Sequence, residues 1–311
     1  MQTANVIDHG GMGEQEQELR RQKVGRMMLT LVLAYCILCI AMTFGQRSLM
    51  YFPDRGVFNP AAWGMSEFRP MRLTTDDGLT ITSWYHAPRD ASKPTIVFMQ
   101  GNAGHPGQRN FKVLPWVGAG YGLVMVGYRG FGVNPGSPTE QGLYRDARAV
   151  LNDLKMRGIT DRKLILYGES IGTGITVQMA TEYSAAGVIL ESPYTSTGDV
   201  GAWRYPFLPV RHLIWDRFDS LSKIANVHMP LMIMHGEADM VVPAQFGKKL
   251  YAAANEPKRA MFMAGLDHST IYDSAVHAAV MEFMASLTQD KESSRAGTIT
   301  ATSGYGMEKT P

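Results

Sequence analysis

The stretch KLILYGESIGTG, which runs from Lys163 to Gly174, decides the fold of this chain. Its first half is a short apolar run typical of a buried strand, and an amphipathic helix is predicted from Ser170 to Tyr183. The pentapeptide GESIG at 168–172 therefore lies on a sharp strand-to-helix turn. Such a turn strains the backbone of its central serine and leaves no room for side chains two residues to either side, where both residues are glycine. The sequence thus predicts that Ser170 is a nucleophile at the start of a helix, whose N–H groups favour a developing anion.

A nucleophilic serine needs a histidine base and a carboxylate that orients the histidine. Where the serine lies on such a turn, the order along the chain is serine, acid, histidine. Two later apolar runs, LMIMHGEADM and MFMAGLDH, end in Asp239 and His268 respectively. Because the carboxyl ends of parallel strands meet at one sheet edge, we predict Ser170, Asp239 and His268 as the catalytic residues. Glu237 and Asp267 remain open as alternative acids.

Two backbone N–H groups are also needed to bind the negative oxygen that forms when the serine attacks. The residue after the nucleophile, Ile171, is predicted to supply one of them. The loop GNAG, which follows the apolar run TIVFMQ, is predicted to supply the other through Asn102, with Gly101 as the alternative.

Around these motifs, residues 48–287 alternate apolar runs with stretches of helical period. This pattern predicts one α/β domain with a mostly parallel central sheet flanked by helices. The sequence MRLTTDDGLTITSWYH at 71–86 alternates about a DDG turn and predicts an antiparallel hairpin at the start of the sheet. A last helix is predicted from about residue 269 to residue 287. The segment 195–226 is predicted to form a short cap over the site.

One N-terminal transmembrane helix is predicted to precede this domain. Arg26 and Arg47 bracket 20 uncharged residues, 27–46, which are long enough as a helix to span a hydrocarbon layer of about 30 Å. The run exceeds the length of a signal-peptide core and ends without a small-residue cleavage site, so we favour an uncleaved anchor over a signal peptide or a buried soluble helix. Basic residues are more numerous before the run than after it. The positive-inside rule therefore places residues 1–26 in the cytoplasm as a short tail and the catalytic domain on the extracytoplasmic side.

The composition excludes several other classes of protein. The formal net charge of +2 over 311 residues is too slight for a nucleic-acid-binding surface. The chain has only two cysteines, Cys36 and Cys39, so a disulfide scaffold and a four-thiolate zinc site within the chain are excluded. Both cysteines lie in the apolar run. No metal or organic cofactor is implied, and the sequence gives no oligomeric state. Residues 288–311 lack an apolar period and are predicted to be a disordered tail.

Taken together, the motifs make this chain resemble the α/β-hydrolases, specifically their branch with a single membrane anchor. The resemblance covers nearly all of 48–287. It rests on LMYFP at 49–53, GNAG at 101–104, YRGFG at 128–132, PGS at 135–137, GESIG at 168–172, HG at 235–236, Asp239, VVP at 241–243 and DH at 267–268. The family usually has a histidine where this chain has Gln100, but the donors of the oxyanion hole are backbone groups. The resemblance implies hydrolysis of esters or thioesters, often with long acyl chains.

Four aromatic residues are candidates for substrate binding. Tyr128 and Phe131, which follow a predicted strand, are predicted to shape the floor of the site. Trp203 and Trp215 are predicted to line an acyl pocket from the cap or to face the membrane. A purely structural role is the alternative for each of them.

The leading functional hypothesis is a membrane-anchored serine hydrolase acting on acyl or lipid-like esters. Two alternatives are a serine exopeptidase of the same fold, for which the sequence shows no acidic amine anchor, and a non-catalytic scaffold with a hydrolase-like fold.

Overall fold

Most of the longer strands of the protein coincide with apolar runs of its sequence. The computed structural model describes residues 10–104, 106–268 and 272–300. The strands within them are Phe52–Pro53 (β1), Arg69–Thr74 (β2), Thr80–His86 (β3), Thr95–Met99 (β4), Ala103–Gly104 (β5), Gly122–Met125 (β6), Asp161–Glu169 (β7), Ala185–Glu191 (β8), Leu231–Gly236 (β9) and Lys258–Met263 (β10).

The helices in the described part of the chain alternate with these strands. They are Gly10–Met50 (α1), Asn110–Gly118 (α2), Glu140–Met156 (α3), Ile171–Glu182 (α4), Thr197–Arg204 (α5), Val210–Leu213 (α6), Ala244–Ala253 (α7) and Ser274–Thr300 (α8). Short 3-10 turns lie at Pro60–Trp63, Pro106–Arg109 and Ile224–Asn226. The α8 helix differs from the sequence prediction because it continues over residues 288–300, where a disordered tail is predicted. Residues 301–311 lie outside the described residues, as do residues 269–271 at the predicted start of this helix.

The central sheet has eight strands within the described residues, in the order β10-β9-β8-β7-β4-β6-β3-β2. Pairing is parallel from β10 through to β6, and it becomes antiparallel where β3 meets β6 and where β2 meets β3. The predicted fold class is therefore confirmed, including the hairpin that begins the sheet. The short strands β1 and β5 form a separate parallel pair.

The central strand β7 is buried on both faces, which explains why its sequence is apolar without alternation. Leu164 and Leu166 belong to one apolar core, which also contains residues of α3 and α4. Ile165 and Tyr167 belong to the opposite core, which also contains residues of α2 and α8. Helices thus cover both faces of the sheet. The parallel strands all end at one edge, and this edge is where such sheets place their functional residues.

The chain divides after Gln46. Up to that residue, α1 is a unit of its own, and the second compact unit begins at Arg47. α1 is long and apolar enough to cross a membrane, and none of its apolar window is buried. By length and composition, α1 therefore meets the requirements for a membrane span.

Candidate active site

Ser170 lies on the sharp turn between β7 and α4. Its backbone has φ 53° and ψ −120°, a left-handed conformation that is strained for any residue other than glycine. The turn is tight because Gly172 approaches the carbonyl oxygen of Met99 in β4 and Gly168 packs against Thr176 in α4. A side chain at either glycine would collide with these neighbours. The two flanking glycines are therefore what allows the serine to occupy this turn.

The structure brings the side chains of Ser170, His268 and Asp239 into one hydrogen-bonded chain. His268 follows β10, and its Nε2 lies 3.1 Å from the Oγ of Ser170. Asp239 follows β9, and its Oδ2 lies 2.6 Å from the Nδ1 of His268. The alternative acid Glu237 instead pairs with Lys248 at 2.6 Å.

The carboxylate of Asp239 is buried and fixed by hydrogen bonds. Its Oδ1 accepts from the backbone N–H groups of Val241 and Val242, both at 2.8 Å. Its Oδ2 faces His268 and also lies 3.4 Å from the Nε2 of His235, which hydrogen-bonds to the carbonyl oxygen of Val242. Burial alone would raise the pKa of Asp239, but these hydrogen bonds outweigh it and hold the pKa well below its usual range. Asp239 is therefore an anion at neutral pH.

The neighbouring carboxylate shifts the pKa of His268. Burial lowers this pKa, but the hydrogen bond and the charge of Asp239 outweigh burial, so the pKa of His268 lies above its ordinary value. Asp239 therefore favours protonation of His268, as expected of a pair in which the histidine accepts a proton and the carboxylate stabilises the resulting cation.

Ile171 and the GNAG loop, which are predicted to supply the two oxyanion donors, both lie beside Ser170. Ile171 is the first residue of α4, so its N–H belongs to the first turn, where N–H groups have no partner within the helix. The GNAG loop leaves the end of β4 and passes beside the serine, because a Cβ added to Gly101 would lie 3.5 Å from the Cβ of Ser170. The neighbouring Asn102 lines the same cavity as Ser170.

The cavity at Ser170 and His268 has a volume of about 240 Å³. Apolar and charged side chains share its walls. They include Arg109, Phe111, Lys112, Glu169, Glu191 and Tyr272.

A buried cluster of charges lies beside Ser170. Lys112 is 3% exposed, and its Nζ lies 2.8 Å from Glu169 and 2.7 Å from Glu191. Arg109 binds the other oxygen of Glu169 at 2.8 Å. Burial lowers the pKa of Lys112, yet the two carboxylates outweigh burial and raise it. Both positive charges likewise hold the pKa of Glu169 well below its usual range against the effect of burial.

The sequence analysis did not identify this cluster. Glu191 is an acidic residue at the end of an apolar strand, β8, and Asp239 likewise follows the apolar strand β9. The sequence pattern that predicted a functional role for Asp239 therefore applies to Glu191 as well. Lys112 lies in α2, where a lysine usually faces solvent, and no sequence signal distinguishes it.

The four aromatic residues predicted to bind substrate do not line the cavity at Ser170. Tyr128 is fully buried, donates to the carbonyl oxygen of Gln100 at 3.1 Å, and lines a second cavity of about 280 Å³ together with Phe131. Trp203 and Trp215 lie in the segment 195–226 and line neither of these two cavities. The prediction is corrected accordingly: among the described residues, the walls of the Ser170 cavity come from the GNAG loop, the turn and helix that follow it, the ends of β7 and β8, His268 and Tyr272, and none comes from the segment 195–226.

The sequence of this chain matches one family model and several curated proteins. The family model for serine aminopeptidase, S33, matches residues 90–218. The uncharacterized protein Rv2307c of Mycobacterium tuberculosis is 38% identical over 226 residues, which are 72% of this chain and 80% of that protein. The alpha/beta hydrolase domain-containing protein 17C of Xenopus tropicalis is 32% identical over 203 residues, which are 64% of each chain.

Solved structures also resemble this chain. The esterase Pf2001 of Pyrococcus furiosus aligns with a TM-score of 0.61 at 18% identity and covers 77% of this chain and 98% of the esterase. A puromycin-hydrolyzing peptidase of Mycobacterium tuberculosis aligns with a TM-score of 0.59 at 18% identity, over 72% of this chain and 39% of the peptidase. At such identities, these alignments show a shared fold alone.

Proposed function

We infer the function from family and site together: this chain belongs to the α/β-hydrolase superfamily, and we propose that it is a serine hydrolase of carboxylic esters or thioesters. The observation that carries the proposal is the hydrogen-bonded chain from Ser170 through His268 to Asp239. Nucleophile, base and orienting acid are thereby within reach of one another in the order that acyl transfer requires.

The first half of the proposed reaction forms an acyl-enzyme. The Oγ of Ser170 bonds to the carbonyl carbon of the substrate while the Nε2 of His268 takes the hydroxyl proton. The carbonyl oxygen becomes an anion, which the N–H groups of Ile171 and Asn102 bind. Asp239 stabilises the imidazolium cation. The bond to the leaving group then breaks, and His268 returns the proton to the departing alcohol or thiol.

The second half releases the acid. A water molecule attacks the acyl carbon while His268 accepts one of its protons, and the same oxyanion site binds the second tetrahedral intermediate. The bond to Ser170 Oγ breaks, His268 reprotonates the serine, and the carboxylic acid leaves. The nucleophile, the base and the anion-binding groups all come from the chain, so the proposed reaction needs no metal or organic cofactor.

We also propose that α1 anchors the protein and that its substrates are acyl or lipid-like. The apolar residues 27–46 lie within α1, and the second compact unit begins immediately afterwards at Arg47. An enzyme whose catalytic domain begins directly after a membrane anchor meets amphiphilic esters of the bilayer at a high local concentration. The excess of basic residues before the apolar run 27–46 supports an N-terminus in the cytoplasm and a catalytic domain on the other side.

An exopeptidase is the second candidate function, and two observations favour it. The matching family model describes a serine aminopeptidase, and Glu169 and Glu191 line the Ser170 cavity, where a carboxylate is able to bind a substrate amine. Both carboxylates, however, are already paired with Lys112. An incoming amine would therefore have to compete with this buried cation, which is why we prefer the ester hydrolase.

The test uses the purified full-length protein in detergent. It is assayed with p-nitrophenyl esters of increasing acyl length, an acyl thioester and aminoacyl p-nitroanilides. We expect ester turnover that increases from acetyl to longer chains, and a loss of about 10⁶ in kcat in Ser170→Ala. Turnover of the anilides alone would favour the exopeptidase, and turnover of none of these substrates would favour a scaffold.

A further inference from the structure

The segment that follows the apolar run lies directly against the GNAG loop. We call residues 47–54 the strap, because they extend from the end of α1 along this loop. We propose that the strap is a positioning element for the oxyanion hole and that it acts by holding Asn102. This inference rests on the proposed function, because Asn102 is a proposed oxyanion donor in the hydrolysis reaction described above.

The strap holds Asn102 at two points. The side-chain Nδ2 of Asn102 donates to the carbonyl oxygen of Met50 at 2.7 Å. The carbonyl oxygen of Asn102 accepts from the N–H of Phe52 at 3.0 Å. The parallel pairing of β1 with β5 extends this contact along the loop, with Phe52 opposite Ala103 and Pro53 opposite Gly104. The side-chain amide and the backbone carbonyl group of Asn102 are therefore both held, and Asn102 lines the cavity at Ser170.

The strap is itself fixed to the domain at three places that do not involve Asn102. Tyr51 is 4% exposed and belongs to the apolar core. The guanidinium of Arg47 binds the carboxylate of Asp216 at 2.8 Å and 3.3 Å. The carbonyl oxygen of Asp54 accepts from the N–H of Gly132 at 2.6 Å. A segment tied down in this way is able to hold the loop in one position.

The residue that precedes the loop does not replace this brace. Gln100 stands where the family usually has a histidine, and its buried Oε1 has no hydrogen-bond partner among the described residues. Its carbonyl oxygen accepts from Tyr128. That bond fixes the start of the loop, whereas Asn102, two residues later, is held by the strap.

The strap would affect catalysis because the donors of an oxyanion hole must be positioned accurately. A donor must lie about 2.7–3.1 Å from the developing oxyanion, and a misplacement of about 1 Å costs about 10²-fold in rate. The full negative charge exists only after the serine has attacked. Loosening the strap should therefore lower kcat and leave KM nearly unchanged, which a general loss of structure would not do.

The test compares two substitutions at one position in the full-length protein. Phe52→Pro removes the N–H that binds Asn102, whereas Phe52→Ala keeps the N–H and trims a side chain that is already 53% exposed. Melting temperatures verify that both variants are folded. We expect Phe52→Pro to lose about 10-fold to 100-fold in kcat at an unchanged KM, and Phe52→Ala to resemble the wild type. A folded Phe52→Pro variant with wild-type kcat would overturn the inference.

A second variant keeps the inference testable if Phe52→Pro does not fold. Asn102→Ala removes the bond to Met50 but retains the backbone donor, so we expect a loss in kcat here too. If Phe52→Pro does fold, the loss in the double variant Phe52→Pro/Asn102→Ala should be smaller than the product of the single losses, because both substitutions release the same residue. Binding of a trifluoromethyl ketone, which forms a tetrahedral oxyanion on the serine, should weaken in parallel with kcat.

Three outcomes contradict the strap's role: wild-type kcat in Asn102→Ala, losses that appear in KM alone, or unchanged binding of the ketone. These are distinct from a failure of the proposed function, in which the wild-type protein itself would hydrolyse no ester and bind no ketone.

Discussion

Replacing Asp239 by asparagine tests the geometry of the site with the smallest change in shape. The Oδ1 of Asp239 accepts from the N–H groups of Val241 and Val242, so an asparagine must keep its oxygen there. Its NH₂ then replaces Oδ2 and faces the Nδ1 of His268. Because NH₂ is a donor, Nδ1 must become an acceptor, and the single proton of the neutral imidazole moves to Nε2. An Nε2 that carries a proton cannot accept the proton of Ser170.

The magnitude follows from the loss of the correct tautomer. In comparable triads this loss lowers kcat by about 10⁴, which corresponds to about 5.5 kcal/mol at about 1.36 kcal/mol for each factor of ten. Asparagine has nearly the volume of aspartate and retains both backbone hydrogen bonds, so we expect KM to change little. The loss should therefore appear in kcat.

The assay is steady-state hydrolysis of a p-nitrophenyl ester by the full-length protein. Asp267→Asn is the matched control, because it makes the same chemical change in an exposed residue adjacent to His268. Circular dichroism and the melting temperature verify that both variants are folded. A larger loss in Asp267→Asn than in Asp239→Asn, or a nearly normal kcat in Asp239→Asn, would refute the assignment of the acid.

Three further outcomes are expected. Because Asp239 raises the pKa of His268 and the base must be neutral, kcat/KM should fall on acidification with a midpoint above the ordinary histidine value of about 6.5, and a midpoint below it contradicts the pair. Lys112→Met should lower the free energy of unfolding in urea by about 3–5 kcal/mol, because it leaves buried carboxylates without their cation, and Lys112→Met/Glu191→Gln should recover part of this loss. An unchanged urea midpoint in Lys112→Met would argue against the buried cluster. Alkaline phosphatase fused after Pro311 should be active if the catalytic domain is extracytoplasmic, whereas a fluorescent cytoplasmic fusion contradicts that topology.

The fold was predictable because its signals are local. The strand β7 is apolar along its whole buried length, which only a strand covered on both faces requires, and the GESIG turn identifies the strand-to-helix connection that follows it. The hairpin of β2 and β3 was marked by its DDG turn. The placement of Ser170, Asp239 and His268 together follows from the same principle, because residues that end parallel strands converge at one edge.

The remaining features depend on contacts between distant residues, which a single sequence does not encode locally. The pairing of β1 with β5 joins two-residue strands about 50 positions apart, too short for any periodicity. The burial of Lys112 is tolerated because its charge pairs with Glu169 and Glu191, and neither is near it in sequence. For Trp203 and Trp215, the composition indicates apolar contacts but does not identify the partner, so their position away from the Ser170 cavity was not predictable.

The most direct test of the central claim is covalent labelling of the nucleophile. The full-length protein is incubated with a fluorophosphonate, and its intact mass and proteolytic peptides are measured by mass spectrometry. Activation of Ser170 by His268 predicts one stoichiometric adduct, located on Ser170. This adduct should be absent from Ser170→Ala, and it should form much more slowly in Asp239→Asn. An unlabelled wild-type protein, or an adduct that persists in Ser170→Ala, would contradict the claim that Ser170 is the nucleophile.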